Sequence, residues 1–122
     1  MSGHVLLAED DTGIRLIARL ALERAGWRVT VAANGREALE QVAKDRPDVV
    51  LLDWMMPEMD GAEACSQLKS NPETADIPVV FITAKSQGFE VDRGLALGAK
   101  AYIVKPFDAL TLGQQLKDIL GR

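Results

Sequence analysis

Apolar positions along this chain keep two alternating rhythms, short unbroken runs and three-and-four spacing, and that alternation predicts strand and helix in turn. Val5-Leu6-Leu7-Ala8 is an apolar run that stops at Glu9, Asp10 and Asp11, and it reads as a buried strand. Ile14, Ile17, Ala18, Ala21, Leu22 and Ala25 then share one helix face, with Asp11 or Thr12 as its cap and Gly26 placed to end it in a left-handed conformation. Residues 28–32 alternate, as a half-exposed edge strand does. Asn34 with Glu37 three residues on has the form of a capping box, opening a helix whose buried face is Ala38, Leu39, Val42 and Ala43. Pro47 imposes an extended approach to Val49-Val50-Leu51-Leu52-Asp53, four apolar residues that end in a carboxylate.

Beyond that run, Asp60 and Glu63 repeat the capping arrangement ahead of Ala64, Cys65 and Leu68, and the polar, proline-containing stretch 70–77 reads as a loop. Pro78 to Ile82 is a second fully apolar strand, followed by Thr83-Ala84-Lys85. Val91, Leu95, Ala96 and Leu97 mark a fourth helix closed by Gly98, although Gly88 and Gly94 weaken its pattern. Ala101 to Val104 is the fifth strand, and Lys105-Pro106-Phe107 follows it. Asp108 is the expected cap of a last helix carrying Leu112, Leu116, Ile119 and Leu120. Strand and helix in five repeated units predict an α/β fold, a doubly wound five-stranded parallel sheet of flavodoxin-like order 2-1-3-4-5 with five helices on both faces.

Composition narrows this further. With 122 residues, 48% hydrophobic and 26% charged, the chain reads as one domain, residues 1–122, able to bury a core. Its apolar runs are far shorter than the roughly 20 residues that span a bilayer, and its start lacks a signal-like stretch. The expected location is cytoplasmic, without membrane insertion. Cys65, the single cysteine, allows no internal disulfide and reads as core filler. A net charge of -4 speaks against direct nucleic-acid binding and suits a protein partner or a metal cation.

Candidate chemistry comes from the strand ends. Glu9 and Asp10 end the first strand, Asp53 the third, Thr83 the fourth and Lys105 the fifth, so a parallel sheet sets all five along its carboxyl edge, where the crevice of this strand order opens. Three carboxylates meeting there repel one another unless a cation neutralises them, and Mg2+, which takes oxygen ligands and phosphate, fits. A carboxylate beside a dication, a lysine and a hydroxyl is the equipment for phosphoryl transfer to aspartate. Taken singly, each residue reads more readily as a cap or a surface charge; five at corresponding positions reverse that and argue for a site.

At this point the chain resembles the response-regulator receiver domains of two-component signalling. The matching segments are Leu7-Ala8-Glu9-Asp10-Asp11, Leu52 to Gly61, Ile82-Thr83-Ala84 and Gly98 to Phe107, and the likeness runs from Val5 to Leu120. The resemblance implies that Asp53 accepts a phosphoryl group from a histidine kinase or histidine phosphotransfer protein. It implies Mg2+ held by Asp10, Asp53 and the backbone carbonyl of Met55, with Glu9 acting through water. Thr83 and Lys105 would hold phosphoryl oxygens, and the Lys105-Pro106 bond would be cis. Tyr102 resembles the aromatic residue that moves with Thr83 on activation, and the face of the fourth helix, fifth strand and fifth helix would meet a downstream protein target. Glu9 stands where such domains frequently carry an aspartate, and Met55 and Lys85 resemble positions that tune the lifetime of the phosphoryl group in this family.

The other distinctive residues have plainer readings. Tyr102 reads equally as an ordinary half-buried strand tyrosine. Trp54 is a packing residue whose fluorescence should respond to a metal, with Trp27 as background. His4 reads as exposed ahead of the first strand, and Met55, Met56 and Met59 as loop packing. Two other functions compete with the switch. An aspartate-nucleophile phosphatase or phosphotransferase resembling the haloacid-dehalogenase class would carry Asp-x-Asp, whereas Met55 fills the second position. A phosphorylation-independent docking module would not need all of Glu9, Asp10, Asp53, Thr83 and Lys105. The chain reads as no enzyme beyond its own phosphorylation and dephosphorylation, and either as a stand-alone receiver or as a piece of a longer regulator.

Overall fold

Alternation of strand and helix is realised throughout. The computed structural model describes residues 3–83 and 88–121, the side chains of 88–91 excepted. Its elements in chain order are β1 (Gly3–Ala8), α1 (Thr12–Arg24), β2 (Trp27–Ala32), α2 (Gly35–Lys44), β3 (Val49–Asp53), α3 (Gly61–Ser70), β4 (Val79–Thr83), α4 (Gly88–Ala96), β5 (Ala101–Val104) and α5 (Leu112–Leu120). All strand pairs are parallel, in the order β2-β1-β3-β4-β5. The expected doubly wound architecture is therefore present, with β2 at one edge.

Both faces of the inner strands are covered, which is why their sequences are continuous apolar runs rather than alternating ones. Leu6, Val50, Leu52 and Phe81 face one layer with Ala38, Val42, Ala64, Cys65 and Leu68 of α2 and α3. Val5, Leu7, Val49, Leu51, Val80 and Ile82 face the other, with Ala18 and Leu22 of α1 and Leu112 and Leu116 of α5. Each fully buried leucine or isoleucine contributes about 1.5–3 kcal/mol of transfer free energy. Two glycines set helix spacing: a Cβ on Gly113 would fall 2.2 Å from Ala25 Cβ, so α5 lies tight on the end of α1, and one on Gly94 would fall 3.1 Å from Phe81.

Several local expectations are corrected. On α1, Ala18 and Leu22 are buried and Ala21 and Ala25 pack partly buried on the same core, whereas Ile17, expected on that face, is 54% exposed along with Leu16 and Leu20. Ala43 is exposed, one position round α2 from Val42. On α4 the close approach is made by buried Gly94, which turns Leu95 and Ala96 outward, while Leu97 packs on the core; the Val91 side chain lies outside the described residues, as do Ala84 and Lys85. His4 is buried, since β1 starts at Gly3 and is flanked on both sides; its Nε2 lies 2.7 Å from Thr30 Oγ1 and its main-chain N–H donates to Asp48 Oδ2. Asp108 does not cap α5: its Oδ1 accepts from Leu110 N–H in a turn, and Thr111 takes the cap position.

Candidate functional site at the carboxyl edge of the sheet

Three strand ends and one loop build a single acidic pocket. β1 and β3 are neighbours in register, Ala8 beside Leu52, so the next residues, Glu9 and Asp53, emerge side by side. One carboxylate oxygen each of Glu9, Asp10 and Asp53 lies within 4.8 Å of the others. Glu9 and Asp53 are buried, at 1% and 5% exposure, while Asp10 faces solvent. Glu9 is fixed by its main chain, whose N–H donates to Ala32 O and whose carbonyl accepts from Arg15 Nη1; its Oε2 accepts from Asp11 N–H at 3.2 Å.

Lys105 spans the two buried carboxylates. Its Nζ is 2.7 Å from Glu9 Oε1 and 3.2 Å from Asp53 Oδ2. Its main-chain N–H donates to Thr83 O at 2.7 Å, which ties the lysine to the end of β4, and the Lys105-Pro106 bond is cis. Burial raises the Glu9 carboxyl above its ordinary pKa, a hydrogen bond with Asp53 adds to the rise, and Lys105 opposes it. Burial would lower the Lys105 ammonium, but its hydrogen bond to Glu9 and the charge of Asp53 outweigh that, and its pKa ends raised. Three carboxylates thus share the pocket with a single ammonium among the described residues. Oxygen-only donors, two of them buried, suit a hard dication such as Mg2+.

Each expected site residue can now be located. Glu9, Asp10, Asp53 and Lys105 come together. Thr83 is buried at the end of β4, one position past Ile82, the partner of Asp53. Met55 is in the loop after β3 with its side chain 74% exposed and its N–H near Asp53 Oδ1, at 3.4 Å. Tyr102 points outward, 41% exposed, beside a cavity of about 10 Å³ lined by Trp54, Phe81, Thr83, Gly94, Leu95 and Ala101. Trp54 packs on Phe81 at 4.7 Å between ring centroids. Burial pushes the Cys65 thiol up, consistent with its reading as core filler.

Sequence reasoning missed an apolar groove next to the pocket. It is lined by Ile14 and Ile17 of α1 together with Lys105, Pro106 and Phe107. The only sequence signal was that α1 has more apolar positions than one face can hold.

Comparison with known proteins follows the same lines. The family model of the response regulator receiver domain matches residues 5–117. The transcriptional regulatory protein CseB of Streptomyces coelicolor is 40% identical over 119 residues, 98% of this chain and 50% of its own length. The response regulator MprA of Mycolicibacterium vanbaalenii is 40% identical over 122 residues, 100% of this chain and 52% of its own. The chain spans about half the length of these curated relatives. Among solved structures, the chemotaxis response regulator CheY4 of Vibrio cholerae superposes with a TM-score of 0.91 at 33% identity, covering 98% of this chain and 99% of that one.

Proposed function

This chain belongs to the response regulator receiver domain family, and from that premise we propose that it is a phosphorylation-dependent switch of a two-component system with Asp53 as the phosphoryl acceptor. The observation that carries the reading is the meeting of three carboxylates, one oxygen of each within 4.8 Å of the others, beside an ammonium that contacts the Glu9 and Asp53 carboxylates.

In this proposal an Asp53 carboxylate oxygen forms a bond to phosphorus as the bond from phosphorus to the imidazole nitrogen of a phosphohistidine breaks, and the nitrogen keeps the electron pair. The donor is a histidine kinase or histidine phosphotransfer protein. Asp10, Asp53 and the Met55 carbonyl would hold Mg2+, with Glu9 acting through water. Bound there, the ion would neutralise charge on the phosphoryl oxygens. Lys105 leaves its contact with Asp53 to pair with a phosphoryl oxygen, and the Thr83 hydroxyl donates to another. Attack of water on phosphorus would then break the bond to the Asp53 oxygen, restoring the carboxylate and releasing inorganic phosphate, so no separate substrate is turned over.

The added charge draws Thr83 toward Asp53, and Tyr102 moves inward into the space beside it. The surface of α4, β5 and α5 is then the output face for a downstream protein, without direct nucleic-acid contact by this chain, and the setting is cytoplasmic. The groove of Ile14, Ile17, Pro106 and Phe107 adjoins Lys105, so a protein donor reaching Asp53 covers it. Residues 1–122 work as one receiver unit.

Intact mass after incubation with acetyl phosphate, with and without Mg2+, tests the reading on this chain and on Asp53→Ala. One phosphoryl group gained only with both Mg2+ and Asp53 is the expected result. A gain in the Asp53→Ala variant would overturn it.

A further inference from the structure

The Asn34 amide, 6% exposed, is shared between two elements. Its Oδ1 accepts from Glu37 N–H at 2.8 Å, capping α2, and its Nδ2 donates to Glu58 Oε2 at 2.9 Å. The chemistry fixes that orientation, since an N–H requires an acceptor and a carboxylate requires a donor. The adjacent Gly35 N–H donates to Met59 O at 2.8 Å, and a Cβ on Gly35 would fall 2.5 Å from the same oxygen. Two successive residues at the start of α2 thus grip the far end of the loop that leaves Asp53. Glu58, where Asn34 takes hold, has a left-handed φ of 62°, which a non-glycine residue keeps only when its surroundings impose it.

Met55 lies between these tethers. Its exposed side chain gives it no packing of its own, so apart from the long contact of its N–H with Asp53 Oδ1, 3.4 Å, its main chain is placed by what holds the loop on either side. On the inner side Gly61 N–H donates to Trp54 O at 3.0 Å. We propose that Asn34 is a positioning residue which, through Glu58, sets the main chain at Met55 for the cation. This deepens the metal reading above and rests on it. Capping alone does not call for asparagine, because aspartate caps as well, but aspartate cannot donate to Glu58. The competing account is that Met56 and Met59, both packed on the core, hold the loop unaided.

The test is a Mg2+ titration by calorimetry and Trp54 fluorescence on the wild type, Asn34→Asp, Glu58→Gln and the double variant, with urea unfolding of each in EDTA to register capping separately. Asn34→Asp keeps the cap but sets a carboxylate against Glu58, and Mg2+ affinity is expected to weaken about tenfold, whereas added negative charge alone would tighten it. In the double variant the glutamine amide donates to the new aspartate and affinity returns to within about threefold of wild type. Glu58→Gln alone, still able to accept from Asn34, stays near wild type. An affinity of Asn34→Asp within about twofold of wild type, or a double variant no tighter than Asn34→Asp, would overturn the proposal in favour of Met56 and Met59. Absence of Mg2+ binding by the folded wild type would instead remove the metal reading itself.

Discussion

Gly61 backs directly onto the proposed acceptor, and replacing it with alanine isolates that contact. A Cβ there would lie 2.2 Å from Asp53 O, 3.1 Å from Asp53 C and 3.1 Å from Phe81 Cε1. The first distance is more than about 1 Å inside the roughly 3.5–4.0 Å at which non-bonded heavy atoms attract. The obstacle is main chain at the end of an inner strand, so no side-chain rotation relieves it. Overpacking of this kind costs about 1–3 kcal/mol, and the lower chain entropy of alanine in the unfolded state returns about 0.4–1 kcal/mol. The net loss should be about 1–2 kcal/mol, read as a lower urea midpoint at unchanged slope. Gly13→Ala in α1 is the control, because its Cβ would meet only Asp11 Oδ1 at 3.4 Å, and it should gain up to about 1 kcal/mol. Gly61→Ala should also slow phosphorylation by acetyl phosphate tenfold or more, since a displacement of about 1 Å at a reacting group costs up to about a hundredfold. If Gly61→Ala is as stable as wild type, the close approach of α3 to Asp53 does not exist and the reasoning fails.

Three further outcomes are expected. Lys105→Met strips the ammonium from two buried carboxylates and should destabilise the metal-free protein by about 1–3 kcal/mol, below the figure for a fully buried pair because the lysine side chain is 17% exposed; thermal melts in EDTA check this, and Mg2+ should restore more stability to this variant than to wild type. Arg28 donates to Asp45 at 2.8 Å and its hydrogen bond holds that carboxyl below the usual range, so the contribution is present above the unfolded aspartate pKa of about 3.9 and lost as pH falls through the lower folded value; the melting-temperature gap between wild type and Arg28→Gln should be small at pH 7 and close in stronger acid, and a gap that widens there would refute it. Ile17→Asp, on the exposed groove, should slow phosphotransfer from a protein donor at least tenfold while leaving the rate with acetyl phosphate unchanged, as measured by radiolabel transfer.

The strands and the pocket were legible because both follow from period and position. An unbroken apolar run ending in a polar residue marks a parallel strand and its carboxyl end together, and the common edge of Glu9, Asp53, Thr83 and Lys105 follows in that way. Helix faces were less legible: the spacing on α1 names Ile17 and Ala18 alike, yet Ala18 is buried in the core beside the sheet and α5 while Ile17 is exposed, and only tertiary packing decides between them. His4 was misread because polarity suggested a surface, whereas an inner strand beginning at Gly3 encloses it. Asp108 has the composition of a cap and spends its carboxylate on a turn instead. Asn34 was read as a cap, and its second bond depends on a loop 24 residues away, which local pattern does not reach. Gly61 and Gly113 show a glycine in sequence but not the backbone or methyl group that presses on it.

The central place of β1 also governs when the site can exist during folding. β1 pairs with β2 and β3, and contacts across the second pairing, such as His4 to Asp48, join residues 44 apart in the chain. Closing so long a segment costs entropy before any contact repays it, and pairings of this range slow folding relative to helical proteins of similar size. Glu9 and Asp53 stand on either side of that same seam, so no partly folded chain with β3 undocked holds both. On the proposed reading, phosphoryl acceptance would double as a checkpoint on assembly: a signal could be written only on a molecule whose central strands have already closed.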